Sequence, residues 1–242
     1  MAGDAPVFRI LKLEGNAVHW QVAANGQRRV VTYSITAQDR EFAGARNCRK
    51  MTSLDGLLAA SRIAPDRLHQ EMAAAFAMWE AAANISFREA PTPALADIVI
   101  GAQIEPEGWA FADVFYDVMA PEPVKPISRA LICLNPARRW KVGFDGDLQA
   151  YDLRYTLAHE IGHAIGLDHP SGAGQIMGYR YEETFRELQP GDIAGAVQLY
   201  GAHQPDAVIA ASAPSHSRAR HTSPARLYAK RWGGRAFAAP PH

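Results

Sequence analysis

The chain is poor in cysteine. Its 242 residues hold two, Cys48 and Cys133. They allow at most one internal disulfide, and the sequence does not say whether they meet. Net charge is absent too, with 25 basic residues against 25 acidic ones. No global field therefore argues for nucleic acid or for an anionic membrane as partner. No apolar run approaches the ~20 residues that a membrane helix needs. The opening Met1-Ala-Gly-Asp-Ala-Pro6 has neither a basic nor an apolar region, so no signal peptide is legible. No histidine lies between His69 and His159, and no internal repeat is evident. What remains is a chain that is 48% hydrophobic, enough for one core-forming domain and a tail.

The informative stretch is Thr156-Leu-Ala-His-Glu-Ile-Gly-His-Ala-Ile-Gly-Leu-Asp-His-Pro170. On a helix, His159 and His163 lie about 40° apart in rotation and one turn apart in height, so both imidazoles can reach one metal ion. Leu153, Leu157, Ile161 and Ile165 form an i,i+4 apolar series, which predicts a helix with a core side and a metal side. Gly166 can take the left-handed conformation that ends a helix and lets His169 swing back as a third nitrogen ligand. Three neutral histidines leave one position of Zn²⁺ open for water, the pattern of a catalytic rather than a closed structural site. Neither cysteine is near enough in sequence to suggest a fourth ligand.

The extended pattern His-Glu-x-x-His-x-x-Gly-x-x-His, followed by Gln175-Ile-Met-Gly-Tyr-Arg-Tyr181, resembles the metzincin metallopeptidases, with Met177 at the methionine of their Met-turn. The short gap from the third histidine to the methionine looks like the matrixin branch. The Met-x-Tyr order of Met177 and Tyr179 looks more like serralysins and astacins. The resemblance covers roughly residues 30–201. It implies an α+β metzincin (zincin-like) fold with a twisted, mixed five-stranded sheet, two long helices, the Met-turn and a C-terminal helix. It also implies one catalytic zinc on His159, His163 and His169, with Glu160 as general base. Tyr179 takes the position of a tyrosine that in serralysins and astacins reaches the zinc and the intermediate. Tyr181 takes that of the matrixin tyrosine lining the specificity pocket. Gly108-Trp109-Ala110-Phe111-Ala112 resembles the edge strand above the cleft, on which an extended peptide can dock as a further strand. The second, structural zinc of animal matrixins is not expected, since the intervening histidines are missing. The acidic residues Glu105, Asp113 and Asp117 are candidates for calcium. Cys48 does not sit in a segment like the latency switch of matrixin zymogens.

Read in order, residues 7–20 look like short strand pieces and Val30–Ile35 like a clear strand. Residues 37–64 look irregular or hold a short helix. Pro65-Asp66 opens a helix with an apolar stripe of Leu68, Met72, Phe76, Trp79 and Ala83. Ile85–Glu89, Asp97–Ile100 and Ala130–Leu134 read as strands. Asn84-Ile-Ser86 is a formal glycosylation sequon at a helix–strand junction. Near Leu188 a last helix begins, with Ile193, Val197 and Tyr200 expected on one face and Gly201 closing it. The expected catalytic domain is therefore 1–202. Residues 203–242 read as a basic, disordered tail that could dock on an anionic surface.

The function expected is that of a zinc endopeptidase acting on a protein or peptide. The alternatives are a zinc-binding recognition module without hydrolytic activity and a metallohydrolase of small substrates. The resemblance implies a secreted protein, against the lack of a visible signal peptide.

Overall fold

The computed structural model describes residues 7–22 and 28–204. The basic segment expected as a tail lies outside the described residues from 205 onward. In chain order the elements are β1 (Arg9–Ile10), β2 (Lys12–Leu13), β3 (Asn16–His19), β4 (Arg29–Ile35), β5 (Arg40–Glu41), β6 (Lys50–Thr52), α1 (Asp55–Ser61) and α2 (Pro65–Ala82). They continue with β7 (Ile85–Glu89), β8 (Ile98–Gln103), β9 (Ala110–Tyr116), β10 (Lys125–Leu134), β11 (Arg139–Lys141), β12 (Ala150–Asp152), α3 (Leu153–Ala164), β13 (Leu167–Asp168) and α4 (Pro190–Tyr200).

The main sheet has nine strands among the described residues, not the five expected. Strands β2–β3 are joined to β10 and β5–β6 to β8, and the other five make its body in the order β7-β4-β8-β10-β9. The first four are mutually parallel, and β9 alone runs antiparallel, against β10. Strands covered on both faces read as near-continuous apolar runs. Accordingly β8 and β9 are buried throughout. Among the described residues β9 pairs only with β10, so its other edge is unpaired by strands.

The two long helices cover one face. The α2 stripe is buried at Leu68, Met72, Phe76 and Trp79 as its spacing predicts. Trp79 also reaches across to α3, where its indole N–H donates to the Ala158 carbonyl at 2.9 Å. Asn84, of the formal sequon, is buried at the end of this helix.

The opposite face of the sheet is sealed by the segment that the sequence left without a role. The β5–β6 hairpin lies over Val99, Phe111, Phe115 and Leu131, and Cys48 is disulfide-bonded to Cys133. Asp113, buried on the same face of β9, accepts the backbone N–H groups of Arg46, Asn47 and Cys48 at 2.8–2.9 Å. A carboxylate satisfied by so many donors is held in place as firmly as it holds the loop.

Helix α4 departs from its expected orientation. Its buried residues are Gly191, Asp192, Gly195, Ala196 and Tyr200, while Ile193 is 39% exposed. A carboxylate, not an isoleucine, points inward, because Asp192 has backbone N–H groups to satisfy there.

Candidate active site

Helix α3 is capped by Asp152, whose side chain accepts the Tyr155 N–H at 2.9 Å. The sequence predicted a helix with one core side. In fact every residue of α3 except Arg154 is buried, since the helix lies between the sheet and the segments after Gly166. Gly166 ends it with φ +105°, and a Cβ there would come within 2.3 Å of the Val18 carbonyl oxygen. Both the turn and the close approach therefore require glycine.

The turn brings His169 back over the helix. The Nε2 atoms of His159, His163 and His169 lie 3.0, 3.1 and 3.2 Å from one another. His159 Nδ1 sits 2.7 Å from the Ile176 carbonyl oxygen, and His163 Nδ1 sits 2.8 Å from that of Leu167. A carbonyl can only accept, so each Nδ1 carries the proton and each Nε2 presents a lone pair. Lone pairs converging at this distance repel unless a cation lies among them. Tetrahedral ligands about 2.0–2.1 Å from a zinc ion would stand about 3.3 Å apart, close to the spacing seen. Burial lowers the pKa of all three rings, His163 to about 4 and His169 to about 3, which keeps them in the neutral, ligating form. Among the described residues this is the only cluster of histidine, cysteine and acidic side chains able to hold a metal ion.

Glu160 is 3% exposed beside His159 and does not belong to that cluster. Burial first, and then the charge of Asp113, pushes its carboxyl up to about 8. A cation on the neighbouring histidines would pull it back toward the ionised form.

Below the histidines lies Met177, 2% exposed. A Cβ on Gly162 would stand 2.2 Å from its sulfur and 2.9 Å from the Trp79 ring, so the glycine within the histidine motif makes room for this floor. The backbone of the turn is fixed from α4. Asp192 accepts the N–H of Ile176 and of Met177, each at 2.9 Å, and that of Gln189 at 2.8 Å. The Ile176 carbonyl in turn orients His159. Sequence reading missed Asp192. Its one local signal is its place three residues after Gln189, with which it forms a reciprocal capping box.

The two tyrosines have different surroundings. Tyr179 is 36% exposed, its ring perpendicular to His169 with centroids 5.3 Å apart. Tyr181 is buried, stacked on Tyr151 at 4.1 Å and edge-on to Tyr155 at 5.0 Å. Its hydroxyl accepts the Asp152 N–H at 2.9 Å and donates to Glu183 at 2.8 Å. Through these contacts it braces the start of α3 against the segment after the Met-turn.

The expected docking strand also starts later than its sequence suggested. Gly108 and Trp109 precede β9. The Gly108 carbonyl is taken by the side chains of Asn135 and Arg138, and that of Trp109 by the Asn135 N–H. The Trp109 ring is buried against Tyr151 at 3.6 Å. Ala110 begins β9 and is itself buried. The acidic calcium candidates are each engaged separately. Glu105 pairs with Arg49 and Lys50, Asp113 holds the hairpin, and Asp117 accepts the Met119 N–H.

A second feature escaped the sequence. Buried Glu71 of α2 meets Arg67, Arg154 and Arg186, and Arg186 also pairs with Asp152 at 2.8 Å. This ties α2, the start of α3 and the segment after the Met-turn together.

Among known proteins, the family model described as Matrixin matches residues 57–201. Metalloendoproteinase 1-MMP of Arabidopsis thaliana is 32% identical over 139 residues, 52% of this chain and 36% of that protein. Metalloendoproteinase 4-MMP of the same plant is 29% identical over 149 residues, 57% of this chain and 42% of that protein. The 72 kDa type IV collagenase of Gallus gallus is 45% identical over 65 residues, 26% of this chain and 9% of that protein. The chain thus spans less than half the length of these curated relatives. A match that runs from α1 through the three histidines and the Met-turn to the end of α4 means that the chain belongs to the matrixin family.

Proposed function

We propose that this protein is a zinc-dependent endopeptidase in which His159, His163 and His169 hold the metal and Glu160 is the general base. The observation that carries this reading is the triangle of Nε2 lone pairs, two of them fixed by carbonyls at Nδ1. When bound, zinc would supply Lewis acidity toward the scissile carbonyl and toward water. The free edge of β9 offers main-chain groups to an extended peptide and so aligns it past the histidines. Glu160 then takes the proton of the attacking water on its carboxylate and hands it to the departing nitrogen. The Tyr179 hydroxyl, on the flank of His169, is our choice for a donor to the oxyanion. Gly108, Trp109 and Ala110, leading into that strand, and Tyr181, after the Met-turn, are our candidates for lining the substrate cleft.

The Cys48–Cys133 disulfide supports an oxidising, extracellular setting. Among the described residues no helix is long and apolar enough to cross a membrane. A purely zinc-binding module would have no use for a buried glutamate next to the first ligand.

The test is metal analysis after dialysis, joined to a peptide panel with and without chelator. One zinc per chain and chelator-sensitive cleavage are expected. Glu160→Ala should keep the zinc and lose cleavage by about 10²–10⁴-fold. Zinc without any cleavage would favour the recognition module, and no zinc would end both readings.

A further inference from the structure

His159 and His163 are each oriented by a backbone carbonyl at Nδ1, but His169 is held differently. Beside it stands Asp168, whose Oδ1 accepts the His169 backbone N–H at 2.8 Å and lies 3.9 Å from His169 Nδ1. The other carboxylate oxygen of Asp168 meets Arg9 Nε at 3.0 Å. Asp168 is therefore gripped from both sides, with its side chain only 13% exposed.

The grip comes from a segment that precedes the matched residues 57–201. Strand β1 pairs antiparallel with β13 in the register Arg9↔Asp168 and Ile10↔Leu167. Leu11 N–H donates to the Gly166 carbonyl at 2.8 Å, and the Trp20 indole N–H to that of Ala164 at 3.0 Å. Upstream, Gln175 donates to the Val7 carbonyl at 2.9 Å, over Gly191, where a Cβ would stand 2.3 Å from the same oxygen. Of the carbonyls left open at the end of α3, those of Ala164 and Gly166 are thus closed by Trp20 and Leu11, and that of Ile165 by the Tyr200 hydroxyl.

We propose that Asp168 is a positioning residue for His169, and that strand β1, through Arg9, is the clamp that sets it. Asp168 acts on the third ligand through its backbone N–H, with the carboxylate 3.9 Å from the ring Nδ1, where the first two ligands have a carbonyl within hydrogen-bond distance of Nδ1. An N-terminal strand outside the histidine motif thereby becomes part of the metal site. This rests on the zinc reading given above.

The experiment is zinc affinity, measured by competition with a chromogenic chelator on the full chain, next to the thermal midpoint of the chelator-stripped protein. Asp168→Ala should weaken zinc by about 10–100-fold, the usual effect of losing a partner that orients a metal ligand. Asp168→Asn keeps an acceptor for the His169 N–H and gives up the pair with Arg9. It and Arg9→Ala should each weaken zinc by about two- to fivefold, as suits a pair with an exposed arginine. The double variant Arg9→Ala/Asp168→Asn should be no worse than either alone, and Arg9→Lys should recover most of the loss. The stripped proteins should melt alike. Should Asp168→Ala fail to fold, the two milder variants and their double carry the test alone. Zinc affinity in Asp168→Ala within twofold of wild type would overturn the proposal, as would losses that simply add in the double variant. If wild type binds no zinc, the metal-site reading itself falls.

Discussion

The carboxylate of Asp192 accepts the backbone N–H of Met177 at 2.9 Å. Its second oxygen accepts that of Ile176 at 2.9 Å, and the Ile176 carbonyl receives the Nδ1 proton of His159. One buried acid on the last helix thus holds the floor of the histidine cluster and aims one of its rings. Asp192→Ala would strand two buried N–H groups, each at a cost of about 1–3 kcal/mol. A lower thermal midpoint and zinc binding weaker by about 10–100-fold are expected. Calorimetry and chelator competition measure the two. A lower midpoint with unchanged zinc affinity would mean that His159 does not depend on this brace.

Tyr179 and Tyr181 should respond in opposite ways to loss of the hydroxyl. Tyr179→Phe should lower kcat by roughly 10- to 10³-fold, with KM and zinc content little changed, as expected for loss of one oxyanion donor. Tyr181→Phe removes the acceptor of the buried Asp152 N–H and the donor to Glu183. It should cost about 1–3 kcal/mol of stability instead. Steady-state kinetics and urea unfolding of both variants separate the roles. Equal, small kinetic effects would leave Tyr179 as a wall residue only.

The Cys48–Cys133 bridge closes a long loop, with a sequence separation of 85. Replacing both cysteines by alanine should cost about 2–5 kcal/mol, mostly through the unfolded chain. Catalysis at 25 °C should stay within about twofold, because Asp113 still holds the N–H groups of Arg46, Asn47 and Cys48. Denaturant unfolding and peptide turnover are the readouts. A large fall in turnover would place the hairpin in contact with the substrate.

Glu183 gives the fold an acid-sensitive latch. Burial works to raise its pKa, but Lys141, the Tyr181 hydroxyl and the Gly146 N–H outweigh it, and the value lies below the ordinary 4.5. A carboxyl whose pKa is depressed by folding stabilises the protein above its unfolded pKa, here near 4.5, and loses that contribution as pH falls through the folded value. Glu183→Gln should therefore lower the thermal midpoint at neutral pH and approach wild type in acid below that window. Melting curves across pH decide it, and a difference that does not shrink in acid would tie the effect to packing instead of charge.

The sequence by itself determined the chemistry and its local frame. The period of His159 and His163, the acid between them, Gly166 and His169 all act within one helix and one turn, where spacing alone dictates which side chains meet. The stripe of α2 and the strand at Asp97–Ile100, which the structure extends into β8, were legible for the same reason, since the local apolar pattern reports burial. Resemblance supplied a mixed sheet of five strands but not their order, because pairing between β4, β7, β8 and β10 has no local signature. Only the tertiary structure decided the rest. Asp192 reaches the Met-turn, Cys48 finds Cys133, and Arg9 grips Asp168 across long stretches of chain. Ile193 left its expected buried face for a like reason. Which residue turns inward was set by the buried N–H groups that needed an acceptor, and those donors belong to segments far away in sequence.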